Sequence, residues 1–296
     1  MKKLKRSTLI ILIIVIAAAG TAIALAFAGY LPGFYPGRRF DNGETVFYII
    51  RHAETEANAE DILSGSGGDY PLTSRGKKQA IALGEGLRGI RFDSCYTSEM
   101  GRARTTAEIV LDQSDNPETK VYQEAGLDDL NWGSLEGRSI ASLSSQWPDF
   151  SIEAVVGDGT DPDFTPSIGD GTDRNSISVN NDGTGRNSIS VSGDGTDRNS
   201  ISVSGVETRY ACTERITETM NRLASDRKNI GRRILISAHS SISWFIENAI
   251  KDDPRDYSEI DNASLTVLVY KDGKWEIKDY NDTNYSTMRE RLKGHY

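Results

Sequence analysis

Four residues in this 296-residue chain combine type and spacing that could do chemistry on an anion: Arg51, His52, Arg102 and His239. The chain has only three histidines, and two of them close apolar, β-like runs: "ETVFYIIRH" ends at His52 and "RRILISAH" at His239. Arg51 precedes the first histidine, and Arg102 follows a third such run, "FDSCYTS", which ends at Ser98. A planar, permanently charged guanidinium suits bidentate contact with an oxyanion, and histidine titrates near neutral pH. The formal charge of −9 sharpens the reading, because an anion site on such a surface must be a local cluster of Arg and His. The same charge argues against a nucleic-acid partner, which needs a basic face to neutralise phosphates.

Strand ends alternate with amphipathic segments in a way that would bring these residues together. "LTSRGKKQAIALGEGLRGI" has the helical period, with Ala80, Leu83 and Leu87 on one face and Thr73 or Ser74 as its cap. "SEMGRARTTAEIVLD" places Met100, Ala103, Ala107 and Val110 or Leu111 inward. "VETRYACTERITETMNRLASD" leads into the run that ends at His239, and "SISWFIENAI" follows with Ile242, Phe245 and Ala249 in register. "SLTVLVYKDGKWEIKDY" is a hairpin about Asp272-Gly273. The expected class is α/β, a three-layer α/β/α sandwich around a mostly parallel sheet. Ligands of open α/β sheets bind at the carboxyl edge, where both histidines would lie.

Residues 1–30 stand apart from that domain. Lys2, Lys3, Lys5 and Arg6 precede an uncharged run from Ser7 to Tyr30, long enough to cross a bilayer as a helix. The expectation is a retained signal anchor with the rest of the chain outside the cytoplasm; the alternative is secretion after cleavage near Ala28. Residues 31–44 read as a Pro/Gly linker, and 45–296 as the folded domain. Cys95 and Cys212 have no metal-ligand spacing and read as two buried thiols, and no metal or other cofactor is expected.

The domain is interrupted at 157–204. "GDGTDRNSISVN", "NDGTGRNSISVS" and "GDGTDRNSISVS" are three consecutive twelve-residue units from Gly169 to Ser204, preceded by the degenerate "GDGTDPDFTPSI". Alternating Ser, Ile and Val could form short strands with aspartates disposed to bind Ca²⁺, but so few apolar residues favour a polar surface loop. Excising Gly169 to Ser204 is expected to leave a domain intact.

The motifs, taken together, resemble those of the histidine phosphatase superfamily, in the branch of the phosphoglycerate mutases and related phosphatases. "RHAETEAN" is similar to the RHGETxxN signature, "TSEMGRARTTA" to S-x-L-x-R-A-x-x-T-A, "LDDLNWGSLEG" to L-x-E-x-x-x-G-x-x-E-G, and "ISAHSSI" to the strand carrying the second histidine. The match runs from about Thr45 to Asp282, interrupted by the insert. The resemblance implies a nucleophile at His52, phosphate binding by Arg51, Arg102 and His239, with Asn58 and Ser240 nearby and Ser64 at the entrance. It also implies a general acid/base at Asp129, where the family carries Glu; Asp128 and Glu124 are fallbacks for the shorter arm. Glu136 reads as structural, and Glu207 as a support behind the site.

The implied activity is metal-independent hydrolysis of a small phosphorylated substrate through a phosphohistidine. Phosphoglycerate mutase-type transfer is the alternative, disfavoured because Arg138, which ends "WGSLEGR", is the only basic residue there before the chain runs into "SIASLSSQWPDF". A membrane-tethered module that binds a phosphate ligand without turning it over is the other class of reading.

Overall fold

The computed structural model describes residues 43–146, 151–157, 159–161, 176–181, 186–192, 201–250 and 260–292. The apolar run Ser7–Tyr30 and most of the 31–44 linker lie outside these; among the described residues no helix is long and apolar enough to cross a membrane.

The chain alternates strand and helix as β1 (Thr45–Arg51), α1 (Glu56–Ala59), α2 (Ser74–Gly86), β2 (Ser94–Thr97), α3 (Gly101–Gln113) and β3 (Val121–Gln123). Two 3₁₀ turns, Ala125–Leu127 and Gly133–Leu135, bracket the acidic pair, and α4 (Ile140–Gln146) and α5 (Ile152–Val156) precede the repeats. After them come β4 (Ser176–Asn181), β5 (Arg186–Ser192), β6 (Ile201–Glu207), α6 (Arg209–Ser225), β7 (Arg233–Ala238), α7 (Ile242–Ala249), β8 (Leu265–Lys271), β9 (Lys274–Asp282) and α8 (Tyr285–Leu292).

Six strands form one mixed sheet in the order β3-β2-β7-β1-β8-β9. The first four are mutually parallel, whereas β8 pairs antiparallel with β1, and β9 antiparallel with β8. The hairpin is therefore what makes a mostly parallel sheet a mixed one. Its turn has positive φ at both Asp272 and Gly273, the twist that matches antiparallel partners.

Burial on both faces explains why the strands read as unbroken apolar runs. Val46, Tyr48 and Ile50 pack into one cluster with Leu83, Val110 and Met288, while Phe47 and Ile49 pack into the other with Ile216, Met220 and Phe245. Helices α2, α3 and α8 cover the first face, and α6 and α7 the second. Leu83 is fully buried, so Leu83→Ala should cost about 2–5 kcal/mol. Helix α2 starts where the sequence indicated: the Thr73 hydroxyl accepts from the Gly76 amide at 2.9 Å. Met100 departs from expectation. It is the N-cap of α3 and only half-buried, and Arg102 and Thr106 take inward positions on that helix instead.

The repeats are not the irregular loop expected of so polar a stretch. Their Ser-Ile-Ser-Val cores pair as a three-stranded antiparallel sheet, β4-β5-β6. Period-two alternation thus outweighs the low apolar content. The last strand runs on into the domain: Trp132 bridges Val206, and the Ser204 amide donates to Ser134 Oγ at 3.0 Å. Excision at Ser204 would cut through this strand. At the crossing, Gly133 has φ +54° and a Cβ there would fall 2.0 Å from the Ser204 carbonyl oxygen, so only glycine fits.

Candidate active site

Strand register alone assembles the site. Arg51 lies opposite Ala238 across β1 and β7, and Thr97 opposite Ser237 across β2 and β7, so His52, His239 and Ser98 each fall one residue beyond the carboxyl edge of adjacent strands. The ladder continues past the edge, with the His52 amide donating to the Ala238 carbonyl at 2.9 Å and the Ser98 amide to Ser237 at 3.2 Å. The two imidazoles end with centroids 5.2 Å apart.

Both rings are buried, and the surroundings of His52 fix which of its nitrogens carries the proton. His52 Nδ1 lies 2.9 Å from the Ala53 carbonyl, which can only accept; Nδ1 is therefore protonated and Nε2 holds the lone pair. His239 Nε2 lies 2.7 Å from Ser98 Oγ, which already accepts from the Met100 amide at 3.3 Å. We assign the His239 hydrogen to Nδ1, the nitrogen that faces Asp129 Oδ2 at 3.5 Å, which makes Nε2 the acceptor of the Ser98 hydroxyl proton. Burial, followed by the charges of His239, Arg51 and Arg102, holds His52 well below the ordinary imidazole pKa. Burial and then Arg102, Arg51 and Arg215 do the same for His239. Both rings are held neutral, so the 3.5 Å approach of His239 Nδ1 to Asp129 Oδ2 is a proximity rather than an ion pair, and it does not meet hydrogen-bond geometry.

The guanidiniums are anchored from behind. Arg51 Nη1 donates to the Ile260 carbonyl at 2.6 Å, and burial lowers its pKa. Arg102, one of the largest fully buried side chains, donates through Nη1 to Gly68 O at 2.8 Å and through Nη2 to Gly65 O at 3.1 Å and Asp129 Oδ2 at 3.3 Å. Its backbone amide and that of Gly101 donate to the Asp69 carboxylate, which caps α3 and also pairs with the guanidinium. What remains is a set of unmet donors: Arg51 Nε, Arg102 Nε and His239 Nδ1 are all buried without a hydrogen-bond partner among the described residues. Buried polar groups are almost always paired, so three orphans at one strand-end cluster mark a place for an anion.

Asp129 reaches this cluster despite its short arm. Its Oδ1 accepts from Ser241 Oγ at 2.8 Å and the Leu130 amide at 3.0 Å, leaving Oδ2 toward Arg102 and His239. Asp128 turns away to cap the Glu99 amide at 2.7 Å, and burial raises its pKa. Glu124 pairs with Arg222 at 2.6 Å. Neither fallback enters the cluster.

The other expected residues have structural places. Asn58 completes a capping box with Thr55 on α1, and Asn262 Nδ2 links its Oδ1 to the His52 carbonyl at 3.2 and 3.0 Å. Ser64 contributes its carbonyl to Arg102 at 3.4 Å and its hydroxyl to Gly68 O. Ser240 is exposed in the turn after His239. Glu136 accepts from the Gly65, Gly67 and Trp132 amides and so shapes the loop that holds Arg102. Glu207 grips Arg215 through both oxygens, at 3.0 and 2.8 Å. Ser98, Ser241, Arg215 and Asn262 were not anticipated; only Ser98 left a trace in the sequence, as the end of a strand. Cys95 and Cys212 are buried free thiols whose pKa values burial pushes up, so they are poor nucleophiles.

Comparison with known proteins extends this picture. Bartonella tribocorum 2,3-bisphosphoglycerate-dependent phosphoglycerate mutase is 33% identical over 107 residues, covering 36% of this chain and 52% of the mutase. Fructose-2,6-bisphosphatase TIGAR of Xenopus tropicalis is 35% identical over 96 residues, 32% of this chain and 35% of that protein. The chain thus spans about half the length of the curated mutases it matches. Among solved structures, phosphoglycerate mutase from Bacillus anthracis superposes with a TM-score of 0.61 at 23% identity, covering 84% of this chain and 98% of that one, a likeness of fold. The model of the histidine phosphatase superfamily (branch 1) matches residues 47–170 and 192–283, with residues 171–191 of the repeats falling between the two segments, and the chain belongs to that superfamily.

Proposed function

We propose that this protein is a phosphomonoesterase that works through a phosphohistidine on His52. The observation that carries the reading is the trio of buried, unpartnered donors, Arg51 Nε, Arg102 Nε and His239 Nδ1, set about a neutral imidazole whose lone pair is fixed on Nε2. A phosphoryl group in flight spreads charge over three equatorial oxygens, so its transfer depends on positioned donors. His52 Nε2 attacks phosphorus, the leaving oxygen takes a proton from Asp129, and the carboxylate then accepts one from the water that hydrolyses the phosphohistidine.

Hydrolysis is preferred to mutase transfer because of what surrounds the arginines. The charged side chains paired with or acting on these arginines include several carboxylates: Asp129 and Asp261 act on Arg51, and Asp69 and Asp129 pair with Arg102. Arg215 is occupied by Glu207 and by main-chain carbonyls. A second phosphate or a carboxylate on the substrate would meet repulsion here, which favours a monophosphate with an uncharged leaving group. The apolar run before the domain, read as an anchor, would put this chemistry outside the cytoplasm.

The test is phosphate release from an aryl phosphate and a panel of sugar phosphates with EDTA present, for the wild type and His52→Ala, together with trapping of an acid-labile phosphoprotein. Turnover that survives EDTA and vanishes with His52 is expected. Phosphate or vanadate binding without turnover on any substrate would overturn hydrolysis in favour of a binding module or a narrow mutase.

A further inference from the structure

Arg215 takes no part in the reaction as drawn, yet it makes one of the densest sets of contacts near the site. Its Nη1 donates to the Gly126 carbonyl at 3.2 Å and the Asp128 carbonyl at 2.9 Å, and Nη2 lies 3.4 Å from the Asp129 carbonyl. These three oxygens belong to the 3₁₀ turn and the extended residues after it, which have no regular ladder of their own to join. Nε and Nη2 donate to Glu207, whose Oε2 also accepts from the Asn131 amide at 3.2 Å. The Glu207 amide returns a bond to the Asn131 carbonyl at 2.8 Å. One guanidinium thus ties the main chain on both sides of Asp129 to the end of β6, the strand by which the repeat sheet enters the domain.

We propose that Arg215, held by Glu207, is a positioning residue for Asp129, and that through this pair the repeat sheet sets where the Asp129 carboxylate stands. The physical reason is the shortness of the arm. Aspartate has two side-chain torsions, so a shift of its main chain passes almost undiminished to Oδ2, which must stay within reach of His239 Nδ1 at 3.5 Å and of a leaving oxygen. A planar fork that meets two main-chain carbonyls with one nitrogen and a carboxylate with the others fixes that position; an ammonium cannot.

The inference rests on Asp129 being the acid of the proposed reaction, and the experiment separates the two. An alkyl phosphate needs its leaving oxygen protonated; nitrophenyl phosphate, with a good leaving group, scarcely does. kcat/KM reports the step that forms the phosphohistidine. In the full-length protein, Arg215→Met and Glu207→Gln should lower kcat/KM for the alkyl ester by about 10²-fold and for the nitrophenyl ester far less. Asp129→Asn should show the same selectivity, and Arg215→Lys should restore little. Equal losses on both esters, or none, would overturn the proposal. A second readout does not need turnover: amide hydrogen exchange across Leu127–Leu130 should quicken in folded Arg215→Met, and unchanged exchange would overturn the clamp even if wild type hydrolyses neither ester. In that last case the phosphatase reading fails separately.

Discussion

Two buried neutral histidines make the protein's stability depend on pH, and the size of the effect follows from the structure. His52 is 3% exposed and His239 0%, and both are held well below 6.5, first by burial and then by neighbouring cations. In the unfolded chain each would titrate near 6.5. Below that pH the unfolded state binds more protons than the folded one, so stability falls as pH falls; above it the effect vanishes. A ring that stays neutral in the folded state while its unfolded counterpart titrates costs up to about 1.4 kcal/mol between pH 7.5 and 5.5, or up to about 2.7 kcal/mol for the pair. Arg51, Arg102, Arg215 and Asp129 face the two rings and are present in wild type and variant alike. Asp128, raised by burial, contributes with the opposite sign, so the measurement must be a difference. Chemical denaturation of wild type and of His52→Asn/His239→Asn at the two pH values supplies it. The wild type should lose up to about 2.7 kcal/mol more than the double variant across the interval. Equal losses in the two proteins would show that the folded rings are already protonated or open to water, and would refute the neutral-nucleophile argument with them.

Other expectations follow from the same contacts. Arg102→Lys keeps the charge but loses the fork that spans Gly65, Gly68 and Asp129, and kcat/KM on an aryl phosphate should drop about 10²–10³-fold. Ser98→Ala removes the hydroxyl that fixes the His239 proton on Nδ1; nitrogen NMR of the ring should show mixed tautomers, with turnover down about tenfold. Gly65→Ala would set a Cβ 1.7 Å from the Leu130 carbonyl oxygen, so denaturation should show a loss of about 1–3 kcal/mol together with reduced phosphate binding as the loop lifts from Arg102.

The fold and the heart of the site could be read from the chain because both rest on local signals. An apolar run that stops at a histidine, followed by an amphipathic segment, specifies a strand end at a helix start, and three such ends in parallel register must share an edge. Met100 misled because the helical period continues backward past the true N-cap. The repeats misled in a different way: apolar content favours a loop, but strict alternation of Ser with Ile and Val lets neighbouring units pair with one another. What stayed hidden were partners set by distance in sequence. Arg215 reaches carbonyls 86 to 89 residues away, and Asn262 reaches the His52 carbonyl across 210. No periodicity carries such information. Asn58 shows the converse, a site residue by motif whose visible work is a helix cap.

The arrangement of donors also bears on how an acidic chain comes to hold an anion. Arg51 Nε, Arg102 Nε and His239 Nδ1 have no hydrogen-bond partner among the described protein groups, so all three remain available to an incoming oxyanion. A phosphoryl group could meet all three without moving the arginines, because Ile260, Gly65 and Gly68 already hold their Nη groups. The fork of Arg102 is consequently not open for the bidentate grip that its residue type suggests: its Nη2 faces Asp129 Oδ2. An oxygen that approaches the Nε–Nη2 edge competes with that carboxylate, and Asp129 yields the contact at the moment when a leaving oxygen needs its proton. In the proposed mechanism, binding the phosphoryl group and freeing the acid would be one event, which would let a short aspartate serve in this position.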